Sequence, residues 1–195
     1  NNINPCTLCN PVSELKSIKE KELTDFLLSL GLNLIKGDRD ILNGKEIDIL
    51  IPDFNIGIEF NGLYWHCEKY VDKDYHLNKT NMCESKGIQL IHIFEDEWVN
   101  NKEIVKSRLK NLFKLTDNKV YGRKCIIKEV NTKDKTKFLN DNHIQGTIGS
   151  KVNLGLYYND ELVSIMTFGK GRVVMNGVKN EWELLRFCNK INHSV

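Results

Sequence analysis

The chain has 195 residues, of which 41% are hydrophobic and 28% are charged, as is usual for a globular protein of one large or two small domains. Its net charge of +2 excludes a strongly basic or acidic protein. No apolar run approaches the ~18 residues that a membrane span needs.

Six cysteines are spread along the chain, and only Cys6 and Cys9 lie close together. Without a signal peptide, this pattern does not predict a disulfide framework, and we expect a reduced, cytoplasmic protein. Residues 1–13 instead have the form of half a zinc ribbon, with Cys6 and Cys9 as Zn²⁺ ligands. The two missing ligands lie either before residue 1 or at Cys67 and Cys83. The opening residues predict a start inside a longer protein.

The first predicted helix follows residues 1–12. Ser17 and Glu20 have the spacing of a capping box, and apolar residues at helical spacing run to a stop at Gly31. Residues 46–51 and 56–60 are strand-like and flank a turn, which predicts a hairpin. A helix over residues 72–86, a buried strand over 89–94 and a helix over about 101–115 complete an α/β core with a mixed sheet.

A second, smaller α+β domain is predicted from residue 117 to 195, after a first domain over 14–116. It has strand-like residues at 120–130, a helix at 133–142, a hairpin of 154–158 with 162–168, and a strand at 182–188. Residues 101–128 contain nine Lys or Arg against two Asp or Glu. Such a stretch suits DNA phosphates or, equally well, a solvated helix face.

Two acids stand inside the apolar strands of the predicted hairpin. Asp48 lies between Ile47 and Ile49, and Glu59 lies between Ile58 and Phe60. A hairpin brings such positions side by side, and a buried carboxylate is costly unless it is paired or bound to a metal. The pair therefore predicts a hard-oxygen site for Mg²⁺ or Mn²⁺. The alternative is that both acids point to solvent.

Asp48, a hairpin and Glu59-Phe-Asn61 together resemble the signature of the PD-(D/E)XK nucleases, whose fold is a restriction-endonuclease-like mixed sheet flanked by helices. The segment from Gly62 to His66 resembles the Gly-x-Phe-Trp-His segment of very short patch repair endonucleases, whose core is shared by phage and homing endonucleases. The resemblance covers about residues 14–113. Asn61 departs from it, because the family usually has Lys there.

The resemblance implies a role for each matching residue. Asp48 and Glu59 bind the metal, and Glu20, early in the first helix, is a third ligand or a capping residue. Lys79, one helical turn from His76, takes the place of the lysine missing at Asn61 and stabilises the transition state. His66 or His76 transfers a proton. The predicted catalytic set is therefore Glu20, Asp48, Glu59, Asn61, His66, His76 and Lys79.

Two further features have structural interpretations. His92 lies on the buried strand and is interpreted as a structural residue. Residues 95–98 place acids where the positive end of a helix dipole favours them.

The C-terminal segments, among them Asn142 to Gly146 and Glu183 to Phe187, resemble the start of an acetyltransferase-like (GNAT) fold. The glycine-rich pyrophosphate loop of that fold is not in the sequence, so we infer no acetyltransferase activity. The basic stretch 101–128 with Lys170, Arg172, Lys179 and Arg186 is expected to bind DNA.

The sequence thus predicts a Mg²⁺-dependent DNA endonuclease of phage or homing type. The alternative is a catalytically inactive DNA-binding module that keeps the fold, which the Asn61 departure favours.

Overall fold

The computed structural model describes residues 13–62, 75–170 and 182–195. The fold is mixed α/β, and the chain divides into two compact units, Asn1–Asn100 and Asn101–Val195. We had predicted a boundary at residue 116. The helix that was expected to close the first domain belongs to the second unit, where Asn111 donates to the His193 carbonyl and the Asn192 amide donates to Ser107 Oγ.

The first unit is built on a four-stranded sheet in the order β1-β2-β3-β4. Its elements are α1 (Ser13–Ser29), β1 (Ile35–Leu42), β2 (Lys45–Ile51), β3 (Ile56–Asn61), α2 (Tyr75–Ser85), β4 (Gln89–Phe94) and α3 (Glu95–Asn100). The pairs β1–β2 and β2–β3 are antiparallel, whereas β3 and β4 are parallel. The predicted hairpin and third strand are confirmed, and the sheet is mixed as expected. The third strand is only partly buried, because only Leu90 and Ile93 of β4 are largely inaccessible to solvent.

Burial on this sheet follows the apolar sequence of β2 and β3. Every residue of β3 is buried, because β3 is an inner strand with neighbours on both sides. A core cluster joins β2 to α2 and β4 and contains Leu42, Ile47, Leu50, Cys83, Ile88 and Leu90. A left-handed Asn55, with φ of 53°, turns the chain from β2 into β3, and its carbonyl accepts from the Gln89 amide. These contacts fix the strands that carry the two acids.

Two predictions for the first unit were wrong in detail. The first helix begins at Ser13 and not after Ser17, so Ser17 and Glu20 are interior helix positions and not the start of the helix that their spacing predicted. Strand β1 was not predicted, since its residues 35–42 include Gly37 and four charged side chains and lack apolar alternation. It is an edge strand that pairs with the apolar β2. This pairing stabilises the extended conformation that the sequence of β1 does not itself favour. The acids of residues 95–98 do open a helix, as predicted.

The second unit contains an antiparallel sheet in the order β6-β7-β8-β9. Its elements are α4 (Lys102–Leu112), β5 (Asn118–Lys119), β6 (Ile126–Glu129), α5 (Thr132–Asn142), β7 (Val152–Tyr158), β8 (Glu161–Lys170), β9 (Trp182–Asn189) and β10 (His193–Ser194). Helix α5 packs on the sheet through Phe138 and Leu139 against Val130 and Ile165. The β7–β8 hairpin turns at Asn159 and Asp160, both left-handed as a type I′ turn requires.

The predicted strand over residues 120–130 was too long. Only Ile126–Glu129 joins the sheet, and residues 122–124 form a 3-10 turn closed by hydrogen bonds from Lys124 to Tyr121 and from Cys125 to Gly122. The described part of the chain contains no helix long and apolar enough to cross a membrane.

Candidate active site

The candidate site begins where the backbone pairing of β2 with β3 ends. Cα pairing runs from Ile51 opposite Ile56 to Ile49 opposite Ile58, and the next residues are Asp48 and Glu59. Their side chains continue the contact between the strands. The Asp48 amide donates to Glu59 Oε1 at 3.2 Å, and the Phe60 amide donates to Asp48 Oδ2 at 2.8 Å. The prediction that the hairpin brings the two acids together is confirmed.

Lys79 approaches this pair from helix α2. Its ammonium donates to Glu59 Oε2 at 2.5 Å, and Lys79 and Glu59 are only 4% and 7% exposed. Lysine is rarely buried unless it is paired, so this contact explains its position. Lys79 therefore lies beside the second acid, and its role as the lysine that the sequence lacks at residue 61 stays a prediction.

Electrostatic strain remains at Glu59 in spite of this ion pair. Burial and then the nearby charge of Asp48 raise the pKa of Glu59, and the contact with Lys79 acts in the opposite direction. A cation bound between the buried Glu59 and the half-buried Asp48 would offset the repulsion between the two carboxylates. Because all their ligand atoms are hard oxygens, the pair suits Mg²⁺ or Mn²⁺ better than a soft metal. The donor set therefore fits the predicted cation.

Glu20 does not complete a metal site with the pair. It lies on α1, half-buried, and its carbonyl accepts from the Thr24 hydroxyl. The described residues contain no group of three or more His, Cys, Asp or Glu side chains arranged to hold a metal ion. A direct role of Glu20 as third ligand is not present in this structure.

Asn61 belongs to a different network, which the sequence did not reveal. Its Nδ2 lies 3.1 Å from His92 Nδ1, and His92 Nε2 lies 3.2 Å from Thr80 Oγ1. The Thr80 hydroxyl donates its single proton to the His76 carbonyl at 2.8 Å. His92 must therefore donate from Nε2 and accept at Nδ1 from Asn61. This order defines one tautomer of a neutral imidazole.

The charges around His92 agree with that neutral form. Burial first, and then the charges of His76 and Lys79, lower the pKa of His92, while Asp48 acts in the opposite direction. The rings of His76 and His92 meet edge to face, with centroids 5.3 Å apart. His92 was predicted to be a structural residue, and its hydrogen bonds to Asn61 and Thr80 define that structural setting. The parallel register that sets it opposite Glu59 is a tertiary feature, so only the spacing of His76 and Thr80, one helical turn apart, could have suggested the network.

Several predicted residues lie outside the part of the chain that is described. His66 and Cys67 are among them, as are Cys6 and Cys9, Arg172 and Lys179. Cys83, considered as a zinc partner, is fully buried in the apolar core, and burial together with the charge of Glu59 raises the pKa of its thiol. Both effects disfavour the deprotonated thiolate, which is the form of cysteine that binds zinc, and so argue against Cys83 as a zinc ligand.

No protein-family model matches this chain, and no curated protein matches it. A solved structure that is similar is the catalytic domain of the homing endonuclease I-Bth0305I, with 20% sequence identity and a TM-score of 0.41. The alignment covers 49% of this chain and 92% of that one. At this level of similarity, the function of the chain has to be argued from its own residues.

Proposed function

We propose that the first unit is a divalent-cation-dependent nuclease that hydrolyses phosphodiester bonds in DNA. One observation carries the proposal: the carboxylates of Asp48 and Glu59 meet across two strands, and the buried ammonium of Lys79 lies against the second. Two acids and a lysine are the groups that metal-assisted phosphodiester hydrolysis requires. The resemblance to very short patch repair-like phage and homing endonucleases suggests double-stranded DNA as the substrate.

In this proposal Asp48 and Glu59 hold the cation, which is Mg²⁺ or Mn²⁺. When bound, such an ion stabilises negative charge on a phosphate and lowers the pKa of water. The hydrogen bonds from the Phe60 and Asp48 amides hold the two carboxylates in place. The two carboxylates are therefore already oriented before a ligand binds, which lowers the free-energy cost of reorganising them during the reaction.

Lys79 contributes positive charge that the strand itself lacks. Its ammonium is anchored by Glu59 Oε2 and shielded from water by burial. In such surroundings a charge acts more strongly on a phosphate oxygen than it does in bulk water. We assign Lys79 to stabilising the charge that develops on the scissile phosphate.

His76 is the proposed proton-transfer group within the described residues, and His66 remains a prediction. His76 is held from two sides, since its carbonyl accepts from Thr80 and its ring meets the edge of His92. Asn61 and His92 are positioning residues in this scheme. The proposed Asn61–His92–Thr80 chain orients the helix turn that carries both His76 and Lys79.

A second candidate is a DNA-binding module without catalysis. It is favoured by the fact that both Glu59 oxygens already accept hydrogen bonds, one from Lys79 and one from the Asp48 amide. Under this alternative, the ion pair holds the fold together and no cation enters. Both candidates bind DNA, but only the first cleaves it.

Cleavage of supercoiled plasmid by the full chain distinguishes them. We expect nicking or linearisation with Mg²⁺ or Mn²⁺, none with EDTA, and a loss of about 100-fold or more in Asp48→Ala and Glu59→Gln. Asp40→Asn is the matched control, because Asp40 is an exposed acid on β1 of the same sheet. Nicking that persists unchanged in Asp48→Ala would remove the nuclease assignment. DNA binding without cleavage in either metal would favour the second candidate.

A further inference from the structure

A cavity of about 280 Å³ lies within the second unit, beside the end of β9. Helix α4 lines it with Ser107, Arg108 and Asn111, the end of α5 with His143, and β9 with Phe187 and Asn189. We call it the α4–β9 cavity. Its volume approaches that of sites that hold small organic ligands and exceeds what a single bound ion needs.

The basic groups that line the α4–β9 cavity are Arg108, His143 and Lys190, and no Asp or Glu lies in the lining. Lys190 is engaged by Glu161, but Arg108 makes no hydrogen bond or ion pair within the described part of the chain. A second guanidinium is close, because the charges of Arg186 and Arg108, after burial, lower the pKa of His143. Arg186 is held by the carbonyls of Gly146 and Leu185. The cavity therefore carries a positive potential, which attracts anions.

Two further polar groups of the lining lack partners. His143 Nδ1 accepts from the Gln145 amide at 3.1 Å, so the neutral ring carries its proton on Nε2. That Nε2–H has no acceptor among residues 75–170 and 182–195. Asn189 Oδ1 is buried and has no donor in the same part of the chain. Folded proteins rarely leave a buried atom such as Asn189 Oδ1 unpaired, and a ligand or water usually completes it, whereas the half-buried His143 offers its Nε2–H as a donor.

An aromatic ring stands beside these polar groups. Phe187, one of the lining residues, is 48% exposed on a strand whose preceding residue is Arg186. A guanidinium, an imidazole donor and an exposed aromatic ring together match the two parts of a nucleotide. Arginine binds phosphate through paired N–H groups, and aromatic side chains stack on nucleic-acid bases.

We propose that the α4–β9 cavity binds one nucleotide, with the phosphate at Arg108 and His143 and the base against Phe187. The nucleotide is either free or a unit of a DNA strand, since the recognised chemistry is the same. This inference does not depend on the nuclease proposal, because none of the lining residues belongs to the first unit. It also gives Arg108, the basic residue of α4 in the lining, a specific partner.

The test is a set of binding titrations on the full chain in EDTA, so that no metal-dependent event contributes. The probes are the four deoxynucleoside 5′-monophosphates, inorganic phosphate, and a single-stranded oligonucleotide of mixed sequence. We expect at least one monophosphate to bind more tightly than inorganic phosphate. If the same variants lose affinity for both the oligonucleotide and the monophosphate, the DNA strand is a ligand of this cavity. If only the monophosphate binds there, the ligand is the free nucleotide.

Two variants and two matched controls locate the binding. Arg108→Ala should reduce nucleotide affinity by about tenfold or more, as expected for loss of a charge-assisted hydrogen bond, and Arg123→Ala should not. Arg123 is an exposed arginine of the same unit outside the lining. Phe187→Leu should weaken nucleotide binding and leave phosphate binding unchanged, whereas Tyr121→Leu, at another exposed aromatic residue, should change neither.

The proposal is overturned by equal losses in Arg108→Ala and Arg123→Ala, which would indicate general attraction to a basic surface. It is also overturned if no monophosphate binds more tightly than inorganic phosphate, or if Phe187→Leu leaves nucleotide affinity intact. Because Arg108 and Phe187 are exposed side chains, their substitution leaves the packed core of the unit in place.

Discussion

The ammonium nitrogen of Lys79 lies 2.5 Å from Glu59 Oε2, and both side chains are almost completely buried. This pair links helix α2 to the central strand β3 across the candidate site. Burying two charges is costly, and removing one of them leaves the other without compensation. The pair therefore contributes to stability and to the proposed chemistry together, and the two contributions need separate measurements.

Replacing Lys79 by Met should lower the free energy of unfolding by about 3 kcal/mol near neutral pH, because Glu59 then lacks its buried partner. Glu59→Gln added to Lys79→Met should recover part of this loss, since the amide carries no charge. Chemical denaturation of both variants measures the difference. Lys106→Met is the control, because its partner Glu103 is a solvated side chain one turn away, and a loss of less than about 1 kcal/mol is expected. Equal losses in the two single variants would contradict the account.

The hydroxyl of Thr80 tests the network through His92. Thr80→Val removes the acceptor for His92 Nε2 as well as the bond to the His76 carbonyl, and should cost about 1–2 kcal/mol. Thr24→Val is a matched control, because Thr24 also donates to a carbonyl four residues earlier but has no histidine contact. We expect the cleavage rate to fall in Thr80→Val and to be unaffected in Thr24→Val. Identical behaviour of the two variants would show that His92 positions nothing.

Gly57 sits where β3 passes closest to its neighbours. A methyl group there would lie 3.0 Å from Leu90 Cδ1 and 3.2 Å from Ile47 Cγ2, so Gly57→Ala should destabilise the first unit by about 1–3 kcal/mol through overpacking. Gly122→Ala meets no atom within 4 Å and serves as the control. Thermal unfolding of both variants measures the effect. A neutral Gly57→Ala would show that the sheet is less tightly packed at this strand.

The pKa of His143 should depend on Arg108. Burial, Arg186 and Arg108 all lower the pKa of this imidazole below its ordinary value of 6.5. The unfolded chain then takes up the proton first as the pH falls, so His143 opposes folding below about pH 6.5, and its penalty grows until the folded pKa is passed. Arg108→Ala should raise the pKa, as followed by NMR titration of the ring. Arg123→Ala should leave the titration unchanged, and a shift of the same size there would contradict this assignment.

The sequence was sufficient to predict Asp48 and Glu59 as a pair, because a carboxylate among apolar strand residues signals its own burial. It predicted Lys79 only as a residue on the same helix face as His76, since the distance to Glu59 depends on how α2 packs. Two features could not be predicted from the sequence, because tertiary contacts determine them. The edge strand β1 takes its conformation from pairing with β2, and His92 gains its partners from the parallel register of β3 with β4. Tertiary contacts decide both.

The central claim, that Asp48 and Glu59 hold a divalent cation, is tested most directly by Mn²⁺ binding to the full chain, followed by electron paramagnetic resonance. The account predicts a bound Mn²⁺ population in the unsubstituted protein that is lost in Asp48→Asn and retained in Asp40→Asn. Equal binding in Asp48→Asn and in the unsubstituted protein would contradict it.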